Sequence, residues 1–378
     1  MKEWKSTFGY TPLDMRACPE HVSPGMQRIF VKNNLEGEQV RLKFSNIYGR
    51  RPMHIERVNI GTAAGIDGEI NQNTEQRVLI SGIEQLVIEP GTEVFSDPVQ
   101  FPAAPGDVFV VSIYINTEQE ITCGQATFSN LLFKVSHSQG NNFQVVKRNP
   151  ENTFFYALSE IQVMASKEIK TIACFGDSIT HQGHWSSALA LKLYTAYPGK
   201  VSVINCGVSG NRILHDASPV PGQEGMFGEA GVKRFERDVF DGRTINQVIV
   251  LEGINDIFHP YVDAPLEEKV SVQELIEGLR YYVKTAHCYN AEIFLCTILP
   301  FKGFEIWSEE MEEERCCLNS WIRKNDAADG YFDFDFYVRD AKRKTRMQTI
   351  CDSGDGLHPS AEGGKIISEE VYKKMMIR

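Results

Sequence analysis

Over roughly the first 165 residues, apolar and polar positions alternate in short runs. Residues 27–32, 38–45, 54–61, 76–80 and 108–115 follow a period of two and are separated by Asn, Gly and Pro turns. That is the pattern of strands with one buried face. No window of about 11 residues there carries a helical period. The pattern predicts an all-β sandwich of jelly-roll type, with 155–163 as its closing strand. A short polar connection, 165–170, follows, and beyond it the pattern changes.

From Ile172 onward, short apolar runs alternate with helical stripes. The runs at 171–175, 201–204, 247–250, 293–296 and 331–334 read as buried strands, and 185–197 as the first helix. In 272–286 the apolar positions Val272, Leu275, Ile276, Leu279, Val283 and Ala286 form one stripe, which a core-facing helix explains by itself. Ser308 is a candidate N-cap for a helix to Lys324, with Glu309 and Glu310 at its positive end. Ser360 caps a last helix to about Met376, with Ile367, Val371 and Met375 facing inward. Strands alternating with helices predict a three-layer α/β domain around a central parallel sheet. The expected division is an accessory β-sandwich over 1–165 and a second domain over 166–378.

Within the second domain, residues 171–180 read Thr-Ile-Ala-Cys-Phe-Gly-Asp-Ser-Ile-Thr, an apolar strand broken by Gly176, Asp177 and Ser178. This sets Ser178 at the carboxyl end of a strand, the edge where open α/β sheets bind ligands. A serine in such a turn is commonly only an N-cap, and as a nucleophile it needs a base to take its proton. Three further segments offer partners. Residues 205–212, Asn-Cys-Gly-Val-Ser-Gly-Asn-Arg, and 251–256, Leu-Glu-Gly-Ile-Asn-Asp, each follow a strand, and 355–358, Asp-Gly-Leu-His, lies in a polar turn before the last helix.

In order and spacing, these four segments resemble the four sequence blocks of the SGNH (GDSL) hydrolase superfamily, over about 172–376. The stretches 41–49, 210–214, 297–303 and 319–323 are similar to one branch of it, two-domain esterases with a β-sandwich ahead of the hydrolase. The resemblance implies a serine ester hydrolase with Ser178 as nucleophile, His358 as base and Asp355 orienting the imidazole. It also implies an oxyanion hole from the backbone N–H groups of Ser178 and Gly210 and the side-chain amide of Asn255. These residue types suit the task, since glycine admits close backbone approach and an asparagine amide donates without acting as a base. His181 stands where many relatives carry an acidic residue. Asp177, Trp185, Arg212, Phe258 and Phe301 are the candidates for touching substrate, Arg212 being the more readily explained as a structural ion-pair former. The Pro- and Gly-rich loop 215–231 leaves the sheet beside the expected oxyanion glycine.

Composition narrows the partners. A chain of 378 residues is long enough for two cores. A net charge of -11 argues against nucleic acid and anionic membrane surfaces, and the one basic run, 342–346, reads as a solvated face. The first residues lack the apolar core of a signal peptide, and no stretch approaches a membrane-spanning length. Nine cysteines without a repeating interval read as reduced thiols of a cytoplasmic protein and lack the paired spacing of a zinc site. Asp256 and His259 repeat the Asp-x-x-His spacing of Asp355 and His358, but a two-metal reading leaves the Gly-Asp-Ser turn unexplained. Neither metal nor cofactor is expected.

The expected substrate is a small-molecule ester, with a short acyl group such as acetyl carried on a carbohydrate or oligosaccharide. A lysophospholipase or arylesterase is the alternative within the chemistry, and a glycan-binding protein with a degenerate hydrolase fold the alternative outside it. Homo-oligomerisation is left open.

Overall fold

In the computed structural model, residues 1–64, 69–127, 131–139, 153–219 and 225–376 are described. The chain divides into two compact units, Met1–Lys170 with Leu193–Ile204, and Thr171–Lys192 with Asn205–Arg378.

The alternating runs of the N-terminal part become antiparallel strands. One sheet orders Lys2–Gly9, Leu158–Ser166, Gly37–Ser45 and Glu93–Phe95, with Val99–Ala103 also paired to Gly37–Ser45. A second orders Phe133–Gln139, Gly25–Lys32, Val108–Ile115, Arg57–Ala64 and Glu69–Ile70. Edge-to-face contacts of Phe8 with Phe133 (5.3 Å) and Phe101 with Phe109 (5.4 Å) join the inner faces of the two sheets.

The expected closing strand over 155–163 is two strands. Thr153–Tyr156 and Leu158–Ser166 join different sheets, because Ala157 at φ +67° turns the chain between them. Lys2–Gly9 gave no alternation signal. Its strand state comes from pairing with Leu158–Ser166, where Ser6 donates to the buried Glu160 carboxylate.

Beyond the N-terminal sheets, a five-stranded sheet runs in the order Val201–Gly207, Lys170–Gly176, Gln247–Leu251, Glu292–Cys296, Gly330–Phe332. The registers from Lys170–Gly176 to Gly330–Phe332 are parallel. Strand order reverses at Lys170–Gly176, so its carboxyl end opens the crevice that doubly wound sheets use for ligands. Phe175 packs edge-on against Phe235 of helix Gly231–Phe240 and Tyr282 of helix Val272–Cys288, bringing both helices to one face of that strand. Ser308 and Ser360 act as caps as expected, accepting from Met311 N–H at 3.2 Å and Gly363 N–H at 3.1 Å. None of the nine cysteines is joined in a disulfide. Among the described residues no helix is long and apolar enough to cross a membrane.

Candidate functional site

The loops leaving the carboxyl edge do so at turns that few residues allow. Gly176 has φ +154°, and a Cβ there would lie 1.9 Å from the Leu251 carbonyl oxygen. Only glycine lets this strand end so close to its neighbour. Asp177 then caps the short helix Ser178–His181, accepting from Ile179 N–H at 2.9 Å, which makes Ser178 the first helical residue.

From the adjacent strand, Val208 N–H donates to the Gly176 carbonyl at 2.9 Å, and the chain reaches Gly210 at φ +72°. A Cβ on Gly210 would fall 2.0 Å from Cδ1 of Phe227, so backbone and ring are already in contact. After Gln247–Leu251, helix Ile254–Phe258 presents Asn255, whose Nδ2 donates to the Asn211 carbonyl at 2.8 Å. Asn255 thus stands beside the Gly210–Asn211 segment. The backbone N–H groups of Ser178 and Gly210 meet no acceptor among the described residues.

The turn 355–358 closes on itself. Asp355 Oδ1 accepts from the backbone N–H groups of Leu357 (2.9 Å) and His358 (2.8 Å), and Oδ2 accepts from His358 Nδ1 at 2.6 Å. His358 Nε2 lies 2.8 Å from Ser178 Oγ. With Nδ1–H given to the carboxylate, Nε2 is left as the acceptor for the serine hydroxyl. Partial burial works against charge on Asp355, yet the hydrogen bonds from His358 and Leu357 hold its carboxyl below the usual carboxylate range. An alcohol, an imidazole acceptor and an ionised carboxylate in series, beside unengaged N–H donors, form the equipment of acyl transfer.

The five candidates for substrate contact are placed otherwise. Trp185 is fully enclosed, edge-on to Phe334 at 5.3 Å; Phe301 is buried; Phe258 is buried against Phe304 at 5.1 Å. Apolar rings with core on every side gain more from packing than from lining a cleft, and position after a strand end does not distinguish the two. Arg212 is buried, its Nη2 donating to Glu268 Oε2 at 2.7 Å and Ser218 Oγ at 3.0 Å, as an ion-pair former. Asp177 is buried as a cap.

Of the loop 215–231, residues 220–224 lie outside the described residues. Its described part includes Phe227, half-buried between Gly210 and the ring of His259, 4.9 Å away. No sequence signal singled out Phe227. His181 Nδ1 meets Ser209 Oγ at 2.7 Å, tying the serine helix to the residue before Gly210.

Asp177 bears on stability. Burial, helped by the neighbouring Glu252 and Asp256 charges, pushes its carboxyl up to about 8. An unfolded aspartate titrates near ~3.9. The folded state therefore keeps a proton that the unfolded chain releases. This contribution to stability is complete below the unfolded value and is lost as pH rises towards about 8. Asp177→Asn keeps a capping oxygen and removes the titration. The stability advantage of the wild type over this variant is expected to shrink from pH 5 to pH 8 in denaturant titrations, and a constant difference would disprove the neutral-acid assignment.

Solved structures similar to this chain include a GDSL-like lipase from Bacteroides thetaiotaomicron VPI-5482, at 17% identity over 56% of this chain and 90% of that one, with a TM-score of 0.41. A variant of Axe2, an acetyl xylan esterase from Geobacillus stearothermophilus, matches at 20% identity over 55% of this chain and 96% of that one, with a TM-score of 0.42. The acetyl xylan esterase AlAXEase matches at 17% identity over 54% and 98% respectively, also with a TM-score of 0.42. No curated protein sequence matches the chain. The sequence profile of the GDSL-like lipase/acylhydrolase family matches residues 174–366, about half of the whole chain. The chain belongs to the GDSL-like lipase/acylhydrolase family.

Proposed function

We propose that this acylhydrolase cleaves a carboxylic ester through a triad of Ser178, His358 and Asp355, and that its substrate is a short-chain ester, an acetyl group on a carbohydrate. The observation that carries the reading is the continuous series from Ser178 Oγ to His358 Nε2 at 2.8 Å and from His358 Nδ1 to Asp355 Oδ2 at 2.6 Å.

Ser178 Oγ attacks the carbonyl carbon while its proton passes to His358 Nε2, and Asp355 stabilises the resulting imidazolium. The carbonyl electron pair becomes an oxyanion held by the backbone N–H groups of Ser178 and Gly210 and the Asn255 amide. Collapse of this intermediate breaks the bond to the alcohol, whose oxygen takes the proton from His358. Water then repeats the sequence on the acyl-serine, regenerating Ser178 and releasing the acid.

The preference for a short acyl group is supported by Phe227, whose ring lies against Gly210 and fills space on that side of the oxyanion position. The aromatic candidates for touching substrate are buried, so carbohydrate as the alcohol part rests on the acidic charge and on the want of a continuous apolar segment suited to a lipid surface.

Two measurements test the reading. Labelling by a fluorophosphonate separates an activated serine from a glycan-binding protein with an inert site. A panel of p-nitrophenyl esters from acetyl to octanoyl, with acetylated oligosaccharides, is expected to give the highest kcat/KM on acetyl esters and release of acetate from the sugars. Rates rising with chain length, and no acetate release, would overturn the substrate assignment and favour a lysophospholipase or arylesterase.

A further inference from the structure

Arg234 lies in helix Gly231–Phe240, is 1% exposed, and stacks over the Phe175 ring at 4.0 Å. Its guanidinium makes five contacts, as many as it has N–H bonds. Nε donates to Asn211 Oδ1 at 2.7 Å; Nη1 donates to the Cys206 carbonyl at 2.8 Å and Asp238 Oδ2 at 3.1 Å; Nη2 donates to the Gly176 carbonyl at 2.9 Å and Glu252 Oε1 at 3.5 Å. Burying a guanidinium is costly unless every donor is met, and a helix–sheet contact here needs only an apolar side chain.

Three of the five contacts share a place in the chain. Gly176 is two residues before Ser178, Asn211 directly follows Gly210, and Glu252 is three residues before Asn255. One rigid planar group therefore grips each of the three segments that would supply an oxyanion donor. Asn211 extends the grip, for its backbone carbonyl accepts from Asn255 Nδ2 at 2.8 Å and its Nδ2 donates to the Phe227 carbonyl at 2.8 Å. Glu252 is fixed in turn by the Tyr282 hydroxyl at 2.6 Å.

We infer that Arg234 is a positioning residue for the oxyanion hole, setting the spacing of the Ser178, Gly210 and Asn255 donors without touching substrate; this rests on the ester-hydrolase reading above. Donor geometry counts most in the transition state, where the charge forms, so the effect falls on kcat and not on KM. Lysine at this position retains the charge facing Asp238 and Glu252 but has three donors on a flexible stem in place of the planar fork.

The test compares Arg234→Lys with the wild type by kcat, KM and the Ki of a trifluoromethyl ketone, which Ser178 converts to a tetrahedral adduct carrying the oxyanion. We expect kcat to fall roughly tenfold to thirtyfold, less than the ~10²-fold or more lost with a donor outright. KM should stay within about twofold and Ki should rise in step with the loss of kcat. A fall in kcat with Ki unchanged in the active fraction would mean simple loss of folded enzyme, and unchanged kcat would mean no role; either overturns the inference. Should the lysine variant not fold, Asn211→Ala cuts the link from the loop side, with a loss of about tenfold in kcat and the same factor in Ki expected; no change in Ki would again overturn it. Ser178→Ala and Asn255→Ala separate the two levels of the argument. If both lose activity as expected while Arg234→Lys and Asn211→Ala leave Ki untouched, only the role of Arg234 fails. Retained activity in folded Ser178→Ala removes the reading beneath it.

Discussion

Ser178→Ala is expected to lower kcat on a short-chain ester by at least ~10³-fold, because nucleophile and base act as one unit. The hydroxyl is the only group removed, and the residue is half-buried at the first position of a helix whose cap, Asp177, is untouched. The melting temperature should therefore move little, because the change touches neither the capping side chain nor a core contact. His358→Ala should produce a similar loss, and the double variant should be scarcely worse than either single one. Turnover surviving in a folded Ser178→Ala protein would exclude the mechanism.

For Asn255→Ala the expected loss is ~10² to 10³ in kcat, with KM nearly unchanged, the mark of a donor used mainly in the transition state. One N–H of the Asn255 amide is engaged by the Asn211 carbonyl at 2.8 Å, which fixes the plane of the amide and so the direction of the other. Because Asn255 is 2% exposed, truncation also strands a carbonyl, and some stability will be lost. Asn255→Asp separates these effects: it keeps the shape and places an acceptor where a donor stood, so it should be at least as inactive as the alanine variant. An effect confined to KM in both would make Asn255 a substrate-binding group instead.

The change of architecture along the chain was legible because it rests on period: alternation before about residue 165, and strands alternating with helical stripes after it. Helix starts were legible wherever a side chain caps them, as at Ser308 and Ser360. Helix Gly231–Phe240 escaped notice because it follows a Pro- and Gly-rich loop, begins without a side-chain cap and carries charged residues, Arg234 among them, on its buried side. Charge reads as solvent exposure until the partners are known, and those of Arg234 are two backbone carbonyls, an amide oxygen and a carboxylate from three other segments, with Asp238 of its own helix. For the aromatic candidates the limit is the converse one. Trp185 and Phe301 follow strand ends, as cleft residues do, yet packing alone decides whether such a ring faces a cleft or the core. Motif residues stand out in a sequence because their chemistry restricts type and spacing at once. What surrounds Gly210, the ring of Phe227, follows only from the fold.

The turn 355–358 has one more consequence. All the hydrogen bonds that join Asp355 to His358 span three residues or fewer, whereas the bond from His358 to Ser178 spans 180. The mutual geometry of carboxylate and imidazole is thus set within one turn of the chain, and only the meeting with Ser178 depends on the fold at large. In the proposed mechanism, a distortion of the fold short of unfolding would therefore be felt at one separation, that between the acid–base pair and its serine.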